Sequence, residues 1–82
     1  MAYHISTINK GEIGKSSKIL EEVQELIDAE NQSCKIMVLV ELSDLYGAIE
    51  LYLKENYDNI TMQDLSVMSQ ITQRAFKSGY RK

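Results

Sequence analysis

Apolar residues recur at helical spacing in three segments of the chain, and this periodicity predicts three helices. The first helix is expected from about Ser16 to Glu30 and the second from about Ser33 to Glu55. The second is apolar on more than one side, which indicates burial against several partners. In the first, the apolar stripe consists of Ile19, Leu20, Val23, Leu26 and Ile27.

The third helix is expected to begin at a capping box formed by Thr61 and Asp64, with Asp64 where Glu or Gln is usual. Gly79 is the predicted residue after its last turn. Its stripe consists of Leu65, Met68, Ile71, Ala75 and Phe76.

Polar and glycine-containing segments separate these helices and indicate how they are arranged. Gly11 and Gly14 precede the first helix, residues 31–33 end its helical pattern, and residues 56–59 form a polar turn. We therefore predict an all-α fold, a small antiparallel bundle of about three helices with an N-terminal arm, as a single domain over residues 1–82. Helices this apolar in so short a chain predict an oligomer, a homodimer or homotetramer, in which a second copy completes the bundle.

Composition excludes several classes of function. The chain has 82 residues, no Pro and a net charge of −3. Because no basic stripe is present, we expect no binding to duplex nucleic acid. The single Cys34 excludes an intramolecular disulfide and a cysteine-based zinc cluster. No secretory signal and no membrane-spanning apolar run are visible, so we expect a cytoplasmic protein without a membrane partner.

Acidic residues form two short motifs, one in each of the first two predicted helices. Glu21, Glu22 and Glu25 read E-E-x-x-E, and fifteen residues later Glu41 and Asp44 read E-x-x-D. Residues three apart share a helix face, so an antiparallel pair would bring four carboxylates together. Such a cluster repels itself unless cations neutralise it, and oxygen ligands suit Mg²⁺ or Mn²⁺.

Two simpler interpretations of these acids remain open. Helical Glu and Asp most often form a solvated face. Lys18, four residues before Glu22, is also placed to form an ion pair with it. Against a purely solvated face, Glu41 and Asp44 lie among apolar residues, where a carboxylate needs a partner or a metal.

The two motifs resemble the signature of the all-α nucleoside triphosphate pyrophosphohydrolases, the MazG-like group. Residues 17–22 look like the start of that group's first motif helix, and residues 41–45 are close to its E-L-x-D-hydrophobic run. Residues 74–81 look like the tail of short phage-type members, for which the compartment would be the bacterial host cytoplasm. The resemblance covers residues 10–81.

This resemblance implies Mg²⁺-dependent hydrolysis of a nucleoside triphosphate to a monophosphate and pyrophosphate, with Mn²⁺ as an alternative ion and nucleotide-pool control as the role. Carried over by position, the metal ligands would be Glu22, Glu25, Glu41 and Asp44. Glu21 would assist catalysis from beside them or orient the attacking water. Many members are longer and carry a further helix around the base, so here a second subunit or the N-terminal arm would supply the missing walls, or the pocket would be open.

A bound triphosphate also requires positively charged side chains around its phosphates. The predicted substrate-binding residues are Lys15, Lys18, Lys54, Arg74, Lys77, Tyr80 and Arg81. Of these, Lys18 and Lys54 are closest in sequence to the two motifs. Two alternatives to an enzyme are a non-catalytic helical module that sequesters a nucleotide, and a helical interaction protein whose acids are merely surface.

Overall fold

The computed structural model describes residues 7–77, with side chains as far as Arg74, and its described part consists of three α-helices joined by short segments. The helices are α1 (Ser16–Asn31), α2 (Lys35–Asn56) and α3 (Met62–Lys77). No strand occurs within residues 7–77. The predicted all-α fold is confirmed, and the predicted starts and ends of α1 and α2 agree with the structure to within two residues.

A tight backbone reversal joins α1 to α2. Ser33 has a φ of 57°, in the left-handed region that few non-glycine residues adopt. Its N–H donates to the carbonyl of Glu30 (2.9 Å), and the N–H of Cys34 donates to the carbonyl of Ala29 (3.4 Å). These two bonds form a Schellman motif, which satisfies the last carbonyls of α1 and turns the chain back at once. As a result, α2 runs antiparallel to α1.

The interface between α1 and α2 buries acids together with small apolar residues. The buried residues of α1 are Glu21, Glu22, Asp28 and Ala29, and those of α2 are Glu41, Ala48 and Leu53. Alanine lets two helices approach closely, but it removes little apolar surface from water. Among the fully buried residues of the two helices, carboxylates therefore outnumber large aliphatic side chains.

The helix α3 begins at the predicted capping box. The N–H of Thr61 donates to Asp64 Oδ2 (2.8 Å), and the N–H of Asp64 donates to Thr61 Oγ1 (3.2 Å). This reciprocal pair satisfies two N–H groups that the first turn leaves without helical partners. Within the part of the chain that the structure describes, α3 makes few contacts with α1 or α2. The predicted final residue, Gly79, lies outside the described residues.

The N-terminal arm, residues 7–15, is non-helical and is held between the start of α1 and the end of α2. The side chain of Asn56 donates to the carbonyl of Gly14 (2.9 Å), and the N–H of Glu12 donates to Ser17 Oγ (3.1 Å). Gly14 has a φ of +84°, and a Cβ there would collide with Glu55, so glycine is required at this position. The arm thus fixes the start of α1, one turn before the acidic motif.

Candidate metal centre

Four carboxylates converge where α1 and α2 face each other. Glu22 and Glu25 come from α1, Glu41 and Asp44 come from α2, and one oxygen of each lies within 4.8 Å of the others. The i, i+3 spacing places each pair on one helix face, and the antiparallel packing brings the two faces together. The predicted convergence of these four residues is confirmed.

The four carboxylates differ in their exposure to solvent. Glu22 and Glu41 are each 5% exposed, Glu25 is half-buried, and Asp44 is exposed. The cluster therefore has an inner pair between the helices and an outer pair that reaches water. A cation or a metal-bound ligand would enter from the side of Glu25 and Asp44.

Glu22 has a strongly raised pKa. Burial raises its pKa to about 7, and the hydrogen bond and negative charge of Glu25 act in the same direction, against the positive charge of Lys18. Its Oε2 atom is buried and accepts no hydrogen bond within residues 7–77. A buried oxygen without a partner is costly, and a cation would supply one.

The donor set fits a hard divalent cation. All four groups offer carboxylate oxygen, which Mg²⁺, Mn²⁺ and Ca²⁺ prefer, and one oxygen of Glu22 is buried with no hydrogen-bond partner among the described residues. The residues present can therefore hold a metal ion.

Lys18 contacts the inner edge of the cluster. Its Nζ atom lies 3.2 Å from Glu21 Oε1 and 3.5 Å from Glu22 Oε1. Burial alone would lower the pKa of Lys18, but the hydrogen bond to Glu21 and the charges of Glu22 and Glu21 outweigh it and raise the pKa. The ion pair with Glu22 that the sequence allowed is present, and it partly compensates the charge of one candidate ligand.

Glu21 lies outside the four-carboxylate cluster, although it neighbours Glu22 in sequence. Its Oε1 atom accepts hydrogen bonds from the Gly11 N–H (2.8 Å) and from Lys18 Nζ (3.2 Å). The hydrogen bond from Gly11 is the largest of the influences that lower its pKa. The structure thus places Glu21 as the residue that ties the N-terminal arm to α1, while its predicted catalytic role stays a prediction.

Replacing Glu21 with glutamine is expected to lower the stability of the protein without removing its response to Mg²⁺. A charge-assisted hydrogen bond contributes roughly 1.5–3 kcal/mol, and glutamine retains only the neutral acceptor, so we expect a loss of about 1 kcal/mol. Because the pKa of Glu21 is lowered, the loss should shrink as the pH falls below the ordinary carboxyl range. Thermal unfolding with and without Mg²⁺ measures both effects.

The matched control for this variant is Glu12→Gln, an exposed acid on the same arm, which should leave stability unchanged. Loss of the Mg²⁺ response in Glu21→Gln would contradict the separation of Glu21 from the metal ligands.

The other predicted substrate-binding residues are distributed over several parts of the chain, and some of their side chains lie outside the described residues. Lys15 is exposed and immediately precedes α1, and Arg74 is exposed on α3. Lys54 lies about 15 Å along α2 from Asp44 at 1.5 Å per residue. The side chain of Lys77, and the whole of Tyr80 and Arg81, lie outside the part that the structure describes. Lys18, by contrast, contacts the carboxylate of Glu22 in the cluster.

Lys54 contributes to a separate open cavity of about 360 Å³ at the α2–α3 connection. Tyr57 and Thr61 also line this cavity. It lies beside the C-terminal half of α2, away from the turn of α2 that carries Glu41 and Asp44.

The sequence analysis did not identify Asp28, which is almost completely buried. Its Oδ1 atom accepts a hydrogen bond from the side chain of Gln32 (2.7 Å). Its position three residues after Glu25 was the available signal, because this spacing places it on the same face of α1. The bond to Gln32 strengthens the end of α1, next to the reversal.

Helices long and apolar enough to cross a bilayer are absent from the part of the chain that the structure describes. No protein-family model matches the chain, and neither a curated protein nor a solved structure matches it at a significant level.

Proposed function

We propose that this protein is a Mg²⁺-dependent nucleoside triphosphate pyrophosphohydrolase. The observation that carries the proposal is the convergence of Glu22, Glu25, Glu41 and Asp44, with a buried oxygen of Glu22 that has no hydrogen-bond partner in the described part of the chain. A solvated acidic face would not bury two of its carboxylates between helices. The resemblance of both acidic motifs to the MazG-like group supports the same reaction.

The inner and outer pairs of carboxylates would play different roles in this reaction. The inner pair, Glu22 and Glu41, would hold the cation, and the outer pair, Glu25 and Asp44, would complete its ligands on the side open to solvent. A bound Mg²⁺ or Mn²⁺ supplies charge neutralisation at the phosphate oxygens and lowers the pKa of bound water. Without such neutralisation the carboxylates would repel a triphosphate.

Lys18 is the residue best placed to add positive charge beside the site. It lies one turn before the first motif, and its Nζ atom already contacts Glu22. In the proposed reaction, Lys18 exchanges part of this contact for a phosphate oxygen. The products would be a nucleoside monophosphate and pyrophosphate, and the activity would control a cytoplasmic nucleotide pool.

The test is product formation from a panel of canonical and modified nucleoside triphosphates with Mg²⁺, with Mn²⁺ and with EDTA. We expect metal-dependent release of pyrophosphate and monophosphate, reduced by at least about 100-fold in Glu41→Gln, because a metal ligand is lost. The matched control is Glu50→Gln, an exposed acid on the same helix, which should retain full activity. Turnover that persists in EDTA or in Glu41→Gln would overturn the proposal.

A second candidate is a module that binds a nucleotide–metal complex without hydrolysing it. It is favoured by the exposure of Asp44, which leaves the cluster open on one side in a single chain. Calorimetric binding of a triphosphate in Mg²⁺, with the nucleotide recovered intact, would favour this module. Binding followed by product release would favour the enzyme.

A further inference from the structure

Lys18 lies between two buried carboxylates, of which one belongs to the candidate metal centre and the other does not. Its Nζ atom is 3.2 Å from Glu21 Oε1 and 3.5 Å from Glu22 Oε1, and its side chain is 26% exposed. Water and salt screen charges in such a partly buried group less than they screen surface ion pairs. The positive charge of Lys18 therefore acts strongly on Glu22, which is a candidate ligand.

Glu21 holds Lys18 in this position independently of Glu22. The Oε1 atom of Glu21 also accepts a hydrogen bond from the Gly11 N–H (2.8 Å), which fixes this carboxylate against the N-terminal arm. Glu21 is not one of the four converging carboxylates. A cation bound by those four would therefore leave the ion pair of Glu21 and Lys18 in place, and the ammonium group would stay beside Glu22.

The two carboxylate oxygens of Glu22 have different surroundings. Oε1 is the oxygen near Lys18, whereas Oε2 is buried and receives no hydrogen bond from residues 7–77. Glu22 can therefore engage a cation without first releasing Lys18. A cation held by Glu22 and the ammonium of Lys18 would share one carboxylate, and like charges at such short range repel each other.

We propose that Lys18 weakens the binding of a free divalent cation to the cluster and strengthens the binding of a polyphosphate that arrives with the cation. A phosphate oxygen beside Lys18 would supply the negative charge that the ammonium shares with the cation at Glu22. Cation and polyphosphate then bind cooperatively, and each raises the affinity for the other by the same factor. The statement about polyphosphate rests on the proposed function, whereas the statement about the free cation does not.

Calorimetric titration of the full-length protein with Mn²⁺ alone tests the statement about the free cation. Lys18→Met keeps the length of the side chain and removes its charge, so we expect it to bind Mn²⁺ at least about 10-fold more tightly than the wild type. Lys18→Arg keeps the charge and should bind as the wild type does. The matched control is Lys35→Met, exposed at the start of α2, which should also leave the affinity unchanged.

Titration of the same variants with inorganic triphosphate at saturating Mn²⁺ tests the statement about polyphosphate, without any contribution from a base. We expect Lys18→Met to bind triphosphate at least about 10-fold more weakly than the wild type, because a charge-assisted contact is lost. The two effects have opposite signs. If Lys18 only stabilised the start of α1, its replacement would weaken the binding of both ligands or of neither.

An affinity for free Mn²⁺ that Lys18→Met leaves unchanged or lowers would overturn the proposal, and so would a lack of Mn²⁺ binding in both the wild type and this variant. A wild type that binds Mn²⁺ but no triphosphate would overturn the statement about polyphosphate together with the proposed function, while the Mn²⁺ comparison would still decide the effect of Lys18 on the free cation. If Lys18→Met does not fold by circular dichroism, Lys18→Gln takes its place.

Discussion

Replacing Glu22 with glutamine should stabilise the metal-free protein and abolish the stabilisation that Mg²⁺ confers on the wild type. Without a cation, the buried carboxylate of Glu22 lies beside Glu25, and one of its oxygens receives no hydrogen bond from the residues that the structure describes. Glutamine removes the charge and keeps the shape, so it relieves the repulsion. It also removes a ligand that the cation requires. The substitution is therefore expected to raise the stability of the metal-free protein and to lower the stability of the Mg²⁺-bound protein.

Thermal unfolding in EDTA and in Mg²⁺ measures both parts of this result. For the wild type, Mg²⁺ at about 100 times its dissociation constant should add ~2.7 kcal/mol. In a chain of this size each kcal/mol raises the melting temperature by about 4–8 °C. In Glu22→Gln we expect a higher melting temperature in EDTA and no further rise with Mg²⁺. The matched control is Glu30→Gln, an exposed acid on the same helix, which should behave as the wild type.

The same experiment separates a metal centre from a helical interaction protein whose acids merely face solvent. In that alternative, Mg²⁺ has no site, and the melting temperature of the wild type is the same in Mg²⁺ as in EDTA. A destabilised Glu22→Gln variant that still responded to Mg²⁺ would contradict our assignment of Glu22.

The second prediction concerns pH, and its sign follows from the raised pKa of Glu22. The pKa is about 7 in the folded protein, compared with an ordinary value of 4.5. The contribution of Glu22 to stability is therefore fully present below about pH 4.5 and is lost as the pH rises through 7. The metal-free protein should accordingly lose stability between about pH 5 and pH 8, while the apparent affinity for Mg²⁺ rises because protons no longer compete for Glu22.

Melting temperatures across this pH range, in EDTA and in saturating Mg²⁺, measure both trends. The difference between the wild type and Glu22→Gln isolates the contribution of this one carboxyl from all other titrating groups. We expect that difference to be small at about pH 5 and largest at about pH 8 in EDTA. An Mg²⁺ affinity that is constant between these pH values would contradict a protonated Glu22 at the site.

The local sequence was sufficient to predict the helices and their ends. The capping box of Thr61 and Asp64 appears as predicted, because its hydrogen bonds join residues three apart. The break after α1 was also predicted, because residues 31–33 lack the apolar periodicity of the helices. These features depend on near neighbours in the chain, which a sequence displays directly.

The spacing of the acids was likewise sufficient to predict which four carboxylates converge. The i, i+3 spacing places Glu22 and Glu25 on one face of α1, and Glu41 and Asp44 on one face of α2. Antiparallel packing of the two helices then brings the two faces together. The spacing did not predict the separate role of Glu21. An i, i+1 neighbour points about 100° around the helix, and the partner of Glu21 is the N–H of Gly11, ten residues earlier.

By itself, then, the sequence determined the three helices, the capping box at the start of α3 and the faces on which the acids lie, since these follow from the helical repeat and from contacts between near neighbours. Only the tertiary structure decided that Glu22 and Glu41 are buried while Asp44 is exposed, that Lys18 bridges Glu21 and Glu22, and that Asp28 is enclosed near the end of α1. It also decided that Met68 and Ile71, two residues of the apolar stripe of α3, stay exposed. These properties depend on how far each helix is rotated and displaced relative to the next, and periodicity along one chain does not specify that rotation.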